Sequence, residues 1–134
     1  MSPSIERLLD APIVGPDSHP TMGSNIQGPS ALSVPEWIEE PLGRLYLYFA
    51  DHKGTYIRLA FADQVAGPWV VHAPGALQLV DSGFPTEPFE VSDEEVDAIR
   101  SRYEDVLGFD RMPSDLRGDL TIPHVASPAV HVDE

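Results

Sequence analysis

Asp51, His52 and Lys53 stand in a row and bring a carboxylate, an imidazole and an ammonium into one short stretch closed by Gly54. Such groups can hydrogen-bond a polar ligand. An ordinary hairpin tip has the same polarity simply because loops face water. Asn25 adds an amide that can hold a ligand or water but cannot act as a base. Trp37, beside Glu36 and Glu39, is the better candidate for stacking on a ligand. Tyr46, Tyr48, Phe49 and Phe61 fall in the most apolar runs and read as packing residues instead. Arg58 interrupts such a run. A guanidinium in that position calls for an acidic partner, and a structural ion pair is the expectation.

Other chemistries are poorly represented. His19, His52, His72, His124 and His131 are irregularly spaced, with no His-x-x-x-His or His-Glu-x-x-His pattern, so no metal is expected. His131, in a terminal run with Ala129 and Asp133, is retained only as a binding candidate. Cysteine is absent, which removes disulfides, thiolate zinc sites and thiol nucleophiles. No cofactor is expected. The formal charge of -14, from 22 acidic and 8 basic residues, repels phosphate backbones and anionic lipid. Neither nucleic acid nor membrane is therefore an expected partner. Met1 to Arg7 lacks the apolar core of a signal peptide, and no later run is long enough to span a bilayer, so a cytoplasmic protein is expected.

The elements that must position these residues are short. Fourteen prolines and 10 glycines, many in clusters, favour brief elements joined by turns. Residues 1–29 read as an irregular lead-in. Ala31 to Val34 is a strand stopped by Pro35. Arg44 to Ala50 is apolar on both faces, as in a strand covered on both sides. Asp51 to Gly54 is a hairpin loop in which the glycine takes a positive φ. Thr55 to Ala62 returns, and Trp69 to His72 starts a fourth strand. The reading is all-β, a four-stranded antiparallel meander over 30–80. A helical insertion and loop follows over 81–123. Ser92 and Glu95 form a capping box, Val96, Ile99, Tyr103, Val106 and Leu107 recur at helical spacing, and Gly108 ends the helix. Phe109 to Pro123 reads as loop, and 124–134 as the start of another strand.

In order along the chain come Gly28-Pro29-Ser30-Ala31-Leu32, Leu45-Tyr46-Leu47-Tyr48-Phe49, Tyr56-Ile57-Arg58-Leu59-Ala60 and Gly67-Pro68-Trp69. This series resembles the first blade of the five-bladed β-propeller glycoside hydrolases of the arabinanase and β-xylosidase group. Ser127-Pro128-Ala129-Val130-His131 similarly resembles the start of a second blade. The resemblance implies a β-propeller-type blade with one helical insertion, an incomplete propeller, whose relatives act on carbohydrate. It also implies that Asn25, Trp37, Asp51, His52, Lys53 and His131 face a sugar ligand. Catalysis in that group needs two carboxyl groups of different pKa. The positions for the first two acidic residues fall on Gly28 and Ala129, and the third lies beyond Glu134. Three readings follow: an inactive glycoside-hydrolase-like fragment, a catalytically dead glycan-binding module, or a small acidic β-meander with no carbohydrate role. If the sheet is a lone blade, Leu45, Leu47, Ile57 and Leu59 cannot all be covered by one helix about 18 Å long, and self-association through the blade faces is expected.

Overall fold

The computed structural model describes residues 4–108 and 111–133. Four strands follow one another: β1 (Ile26–Ser33), β2 (Leu45–Asp51), β3 (Tyr56–Ala62) and β4 (Val70–Gln78). They form one antiparallel sheet in the order β1-β2-β3-β4. This is the all-β meander that the alternation of apolar runs and turn residues predicts. The first and last strands are longer than their apolar cores suggest, because pairing continues through polar residues on each side. A short 3₁₀ turn (Leu79–Asp81) ends β4. Two helices complete the chain, α1 (Asp93–Leu107) and α2 (Leu116–Thr121).

Pairing fixes which side chains share a face. Leu47 opposes Ala60 and Phe49 opposes Arg58 on one face, and Tyr46 opposes Phe61 and Tyr48 opposes Leu59 on the other. Both faces of β2 and β3 are covered, which explains why their sequences are apolar without alternation. Phe49, Ala50, Ile57, Leu59 and Ala60 are buried. The covering layers are irregular segments, not a helix. The residues before β1 cross the face bearing Arg58. The C-terminal segment lies on the other, where Val125 and Ala126 pack with Ala50, Ile57, Leu79 and Tyr48. Helix α1 makes its main contacts with α2, in keeping with the expectation that one helix cannot cover the sheet.

Three local readings need correction. The hairpin closes with Gly54 N–H donating to the Asp51 carbonyl at 3.0 Å, but the residue with positive φ is Lys53, at 57°. Leu116–Thr121 is a helix, where the whole run from Phe109 to Pro123 had read as loop. Asp115 caps it by accepting from Gly118 N–H at 2.9 Å. Phe109 and Asp110 lie outside the described residues. Residues 124–133 do not form a strand; Glu134 lies outside the described residues. Pro123 and Pro128 cannot donate to a ladder, and Ser127 has a φ of 54°. The segment is held instead by Val125 N–H on the Gly54 carbonyl at 3.0 Å and by Val130 N–H on Ser30 Oγ at 2.9 Å.

Candidate functional site

The β2–β3 hairpin is where the separate parts of the chain meet, and it contains three of the residues singled out from sequence. Asp51, at the end of β2, points to the face that carries Arg58. Its Oδ1 accepts from Gly23 N–H at 3.0 Å and its Oδ2 from Arg58 Nε at 2.7 Å, with Arg58 Nη2 at 2.5 Å from Oδ2. Arg58 is 3% exposed. Its remaining donors reach Thr21 Oγ1 at 3.1 Å and the Thr21 carbonyl, and its guanidinium lies 4.6 Å from the centre of the Tyr56 ring. The ion pair expected for Arg58 therefore has Asp51 as its partner, and together they pin the lead-in segment across the sheet.

His52 and Lys53 are bound to other segments. The His52 backbone N–H donates to the Asn25 carbonyl at 2.7 Å, and its Nδ1 lies 3.2 Å from Gln27 Nε2. Lys53 Nζ pairs with the Asp119 carboxylate and donates to the Asp119 carbonyl, tying the hairpin to α2. The structure thus gathers Asn25, Asp51, His52 and Lys53, with Asn25 contributing its backbone carbonyl. It leaves Trp37 and His131 elsewhere. Trp37 is 69% exposed in the β1–β2 connection, at the opposite end of β2 from the hairpin. His131 is exposed in the C-terminal segment, its Nε2 3.3 Å from Asp133 Oδ1. Sequence reading missed Thr21, Gly23, Gln27 and Asp119 as partners. The first three lie in a lead-in without periodicity, and Asp119 in a helix of only six residues, so only the need of Arg58 for an acidic neighbour hinted at any of this.

Gly28 and Ala129 show what became of the positions expected to carry carboxylates. Gly28 has a φ of 64°, and a Cβ built on it would lie 2.4 Å from Ser127 Cα. No side chain fits there while the C-terminal segment rests on β1. Ala129 is exposed in that same segment. Burial, then repulsion from Tyr46, raises the Tyr48 phenol above its ordinary pKa. Its ring meets Tyr46 edge-on at 6.2 Å, a packing arrangement.

Comparison with known proteins overturns the resemblance to the glycoside hydrolase propellers. No protein-family profile and no solved structure matches this chain. It is similar to the uncharacterized protein R118 of Acanthamoeba polyphaga mimivirus, at 44% identity in an alignment 62 residues long that covers 41% of this chain. The chain spans 17% of the length of that relative. The aromatic strands that carried the resemblance are what any doubly covered antiparallel sheet requires, and they do not specify one family.

Proposed function

We propose that this chain is a non-catalytic scaffold, a small acidic β-meander that holds its loops fixed for contact with protein partners and has no carbohydrate role. The observation that supports this reading is the engagement of the hairpin. Both Asp51 oxygens, the Arg58 guanidinium and the Lys53 ammonium are bonded to other parts of the same chain. A sugar hydroxyl would have to displace a buried ion pair to reach them. The hairpin acts as a clasp, joining the lead-in through Thr21 and Gly23, α2 through Asp119 and the C-terminal segment through Val125.

A cytoplasmic setting belongs to the same proposal and is tested by fractionating the producing cells. No helix among the described residues is long and apolar enough to cross a membrane. The clasp is tested by titrating the labelled chain with arabino- and xylo-oligosaccharides while following the Asp51, His52 and Lys53 amides. No sugar-dependent shift is expected, and Asp51→Ala should lower stability. Sugar-dependent shifts that vanish in Asp51→Asn, with unfolding unchanged, would replace the scaffold with a glycan site.

A further inference from the structure

Between the turn that ends β4 and the start of α1 the chain runs Phe84-Pro85-Thr86-Glu87-Pro88-Phe89-Glu90. All seven residues are exposed and none belongs to a helix or strand; Phe84 is 60% exposed and Phe89 53%. The segment is nevertheless tied at both ends. Ser82 Oγ accepts from Phe84 N–H at 3.1 Å and donates to the Leu79 carbonyl at 2.6 Å. Phe89 N–H donates to the Thr121 carbonyl of α2 at 3.2 Å. Two aromatic rings held in water this way are poor structural choices and good anchors for a partner.

The prolines say what kind of partner. Each lacks an N–H and fixes its own φ, and each biases the preceding residue, Phe84 or Glu87, toward extended backbone. A Pro-x-x-Pro segment of this kind is read by aromatic-lined grooves, which need no backbone ladder from it. The charge of the region narrows the choice. Between His72 and Arg100 there is no lysine, arginine or histidine, while Asp81, Glu87, Glu90, Asp93, Glu94, Glu95 and Asp97 are acidic; Arg117 pairs with Asp93 and Arg100 with Asp97, so the excess rests on the other five. A second copy of this chain would bring the same acidic cluster, and an anionic membrane is repelled in the same way.

We propose that Phe84–Glu90 is a recognition segment for a partner protein with an aromatic-lined, proline-accepting groove and a basic rim. The proposal rests on the reading of the chain as a scaffold for protein contact. In the free chain the backbone bends at Phe84 and Glu87, and Pro85-Thr86 between them is free of regular structure.

The experiment is a titration of the whole labelled chain with a purified set of SH3, WW and EVH1 domains that includes acidic and basic rims. A basic-rimmed domain is expected to shift the amides of Gly83 to Glu90 that are not prolines, and to leave Asp51 to Gly54 unmoved. Binding should weaken at least about tenfold in Pro85→Ala/Pro88→Ala, in Phe84→Ala/Phe89→Ala and in Glu87→Lys/Glu90→Lys, the last two testing anchors and charge separately. Added salt should weaken it as well. Pro41→Ala, in the β1–β2 connection, should leave it unchanged, and matching thermal melts exclude misfolding. The proposal is overturned if no domain in the set shifts the segment, if the substitutions leave binding intact, or if acidic-rimmed domains bind equally well. Those results leave the clasp reading standing, which falls instead on sugar-dependent shifts at Asp51.

Discussion

Arg58 is the charged side chain that this sheet places deepest, and its surroundings set the cost of disturbing the clasp. Asp51→Ala leaves the guanidinium buried without its counter-charge, and a loss of about 3 kcal/mol in urea unfolding is expected. Lys53→Met breaks a pair nearer the surface and should cost about 1 kcal/mol or less by the same measurement. An equal effect of the two would mean that burial of Arg58 is not what makes the Asp51 pair matter. Tyr48 offers an independent probe of the covered face. Burial and the neighbouring Tyr46 raise its phenol pKa, so ultraviolet titration should find a tyrosine that ionises above the ordinary range. Because the folded-state pKa is the raised one, its contribution to stability is present below the unfolded-state value and disappears as pH rises through the folded one. In Tyr46→Phe the late ionisation should move back toward the ordinary value without reaching it, since burial is the larger cause.

At the scale of elements, α1 depends on its first turn more than on the sheet. Ser92 Oγ accepts from Glu95 N–H at 3.2 Å, and the Glu95 carboxylate accepts from Ser92 N–H at 2.9 Å and from Ser92 Oγ at 2.8 Å. These bonds, the backbone one first, lower the Glu95 pKa. A depressed folded-state pKa stabilises above the unfolded value and is lost as pH falls through the folded one. Circular dichroism should therefore show helix content falling on acidification below the usual carboxylate range. Ser92→Ala should remove about 1 kcal/mol of helix stability at neutral pH. It keeps the residue 92 N–H that is the larger cause of the lowered pKa, so Glu95→Gln is the substitution expected to flatten the acid dependence. An unchanged acid limb in Glu95→Gln would mean the cap is not its source. The β4 strand depends on a glycine instead. At Gly75, with a φ of 73°, a Cβ would lie 2.5 Å from the Tyr56 ring and 2.6 Å from the Ile57 carbonyl, at the irregularity in the β3–β4 register.

For the whole molecule the decisive quantity is charge. A formal charge of -14 on 134 residues favours expansion, because like charges are closer in the folded chain than in the unfolded one. Four acid–base pairs between Asp and Lys or Arg offset part of that among the described residues: Lys53–Asp119, Arg58–Asp51, Arg100–Asp97 and Arg117–Asp93. The excess remains unpaired. Raising sodium chloride from about 0.01 M to about 0.5 M shortens the screening length from roughly 30 Å to a few ångströms. A higher melting temperature in salt is expected by thermal circular dichroism, because screening relieves more repulsion than it removes attraction. A lower one would mean that the ion pairs outweigh the net charge.

The sequence by itself determined the parts of this protein whose causes are local. Four strands in chain order, the turn at Asp51 to Gly54, and the capped start of α1 follow from residue types within a few positions of each other. Apolar residues on both faces of β2 called for cover on both sides, but the cover expected was neighbouring blades or further copies, not segments of this chain. The cover itself was decided by tertiary structure. The lead-in has no periodicity, and what holds it is Arg58 and Asp51 meeting Thr21 and Gly23 across a turn of the chain. The last dozen residues have the composition of a strand, yet Pro123 and Pro128 deny them a ladder and Ser30 and Gly54 supply other partners. The same contact decides Gly28, which is a glycine because Ser127 lies against it, 99 positions away in the chain. Contacts at that separation leave no pattern in a single sequence, which is why the sheet could be read and its clasp could not.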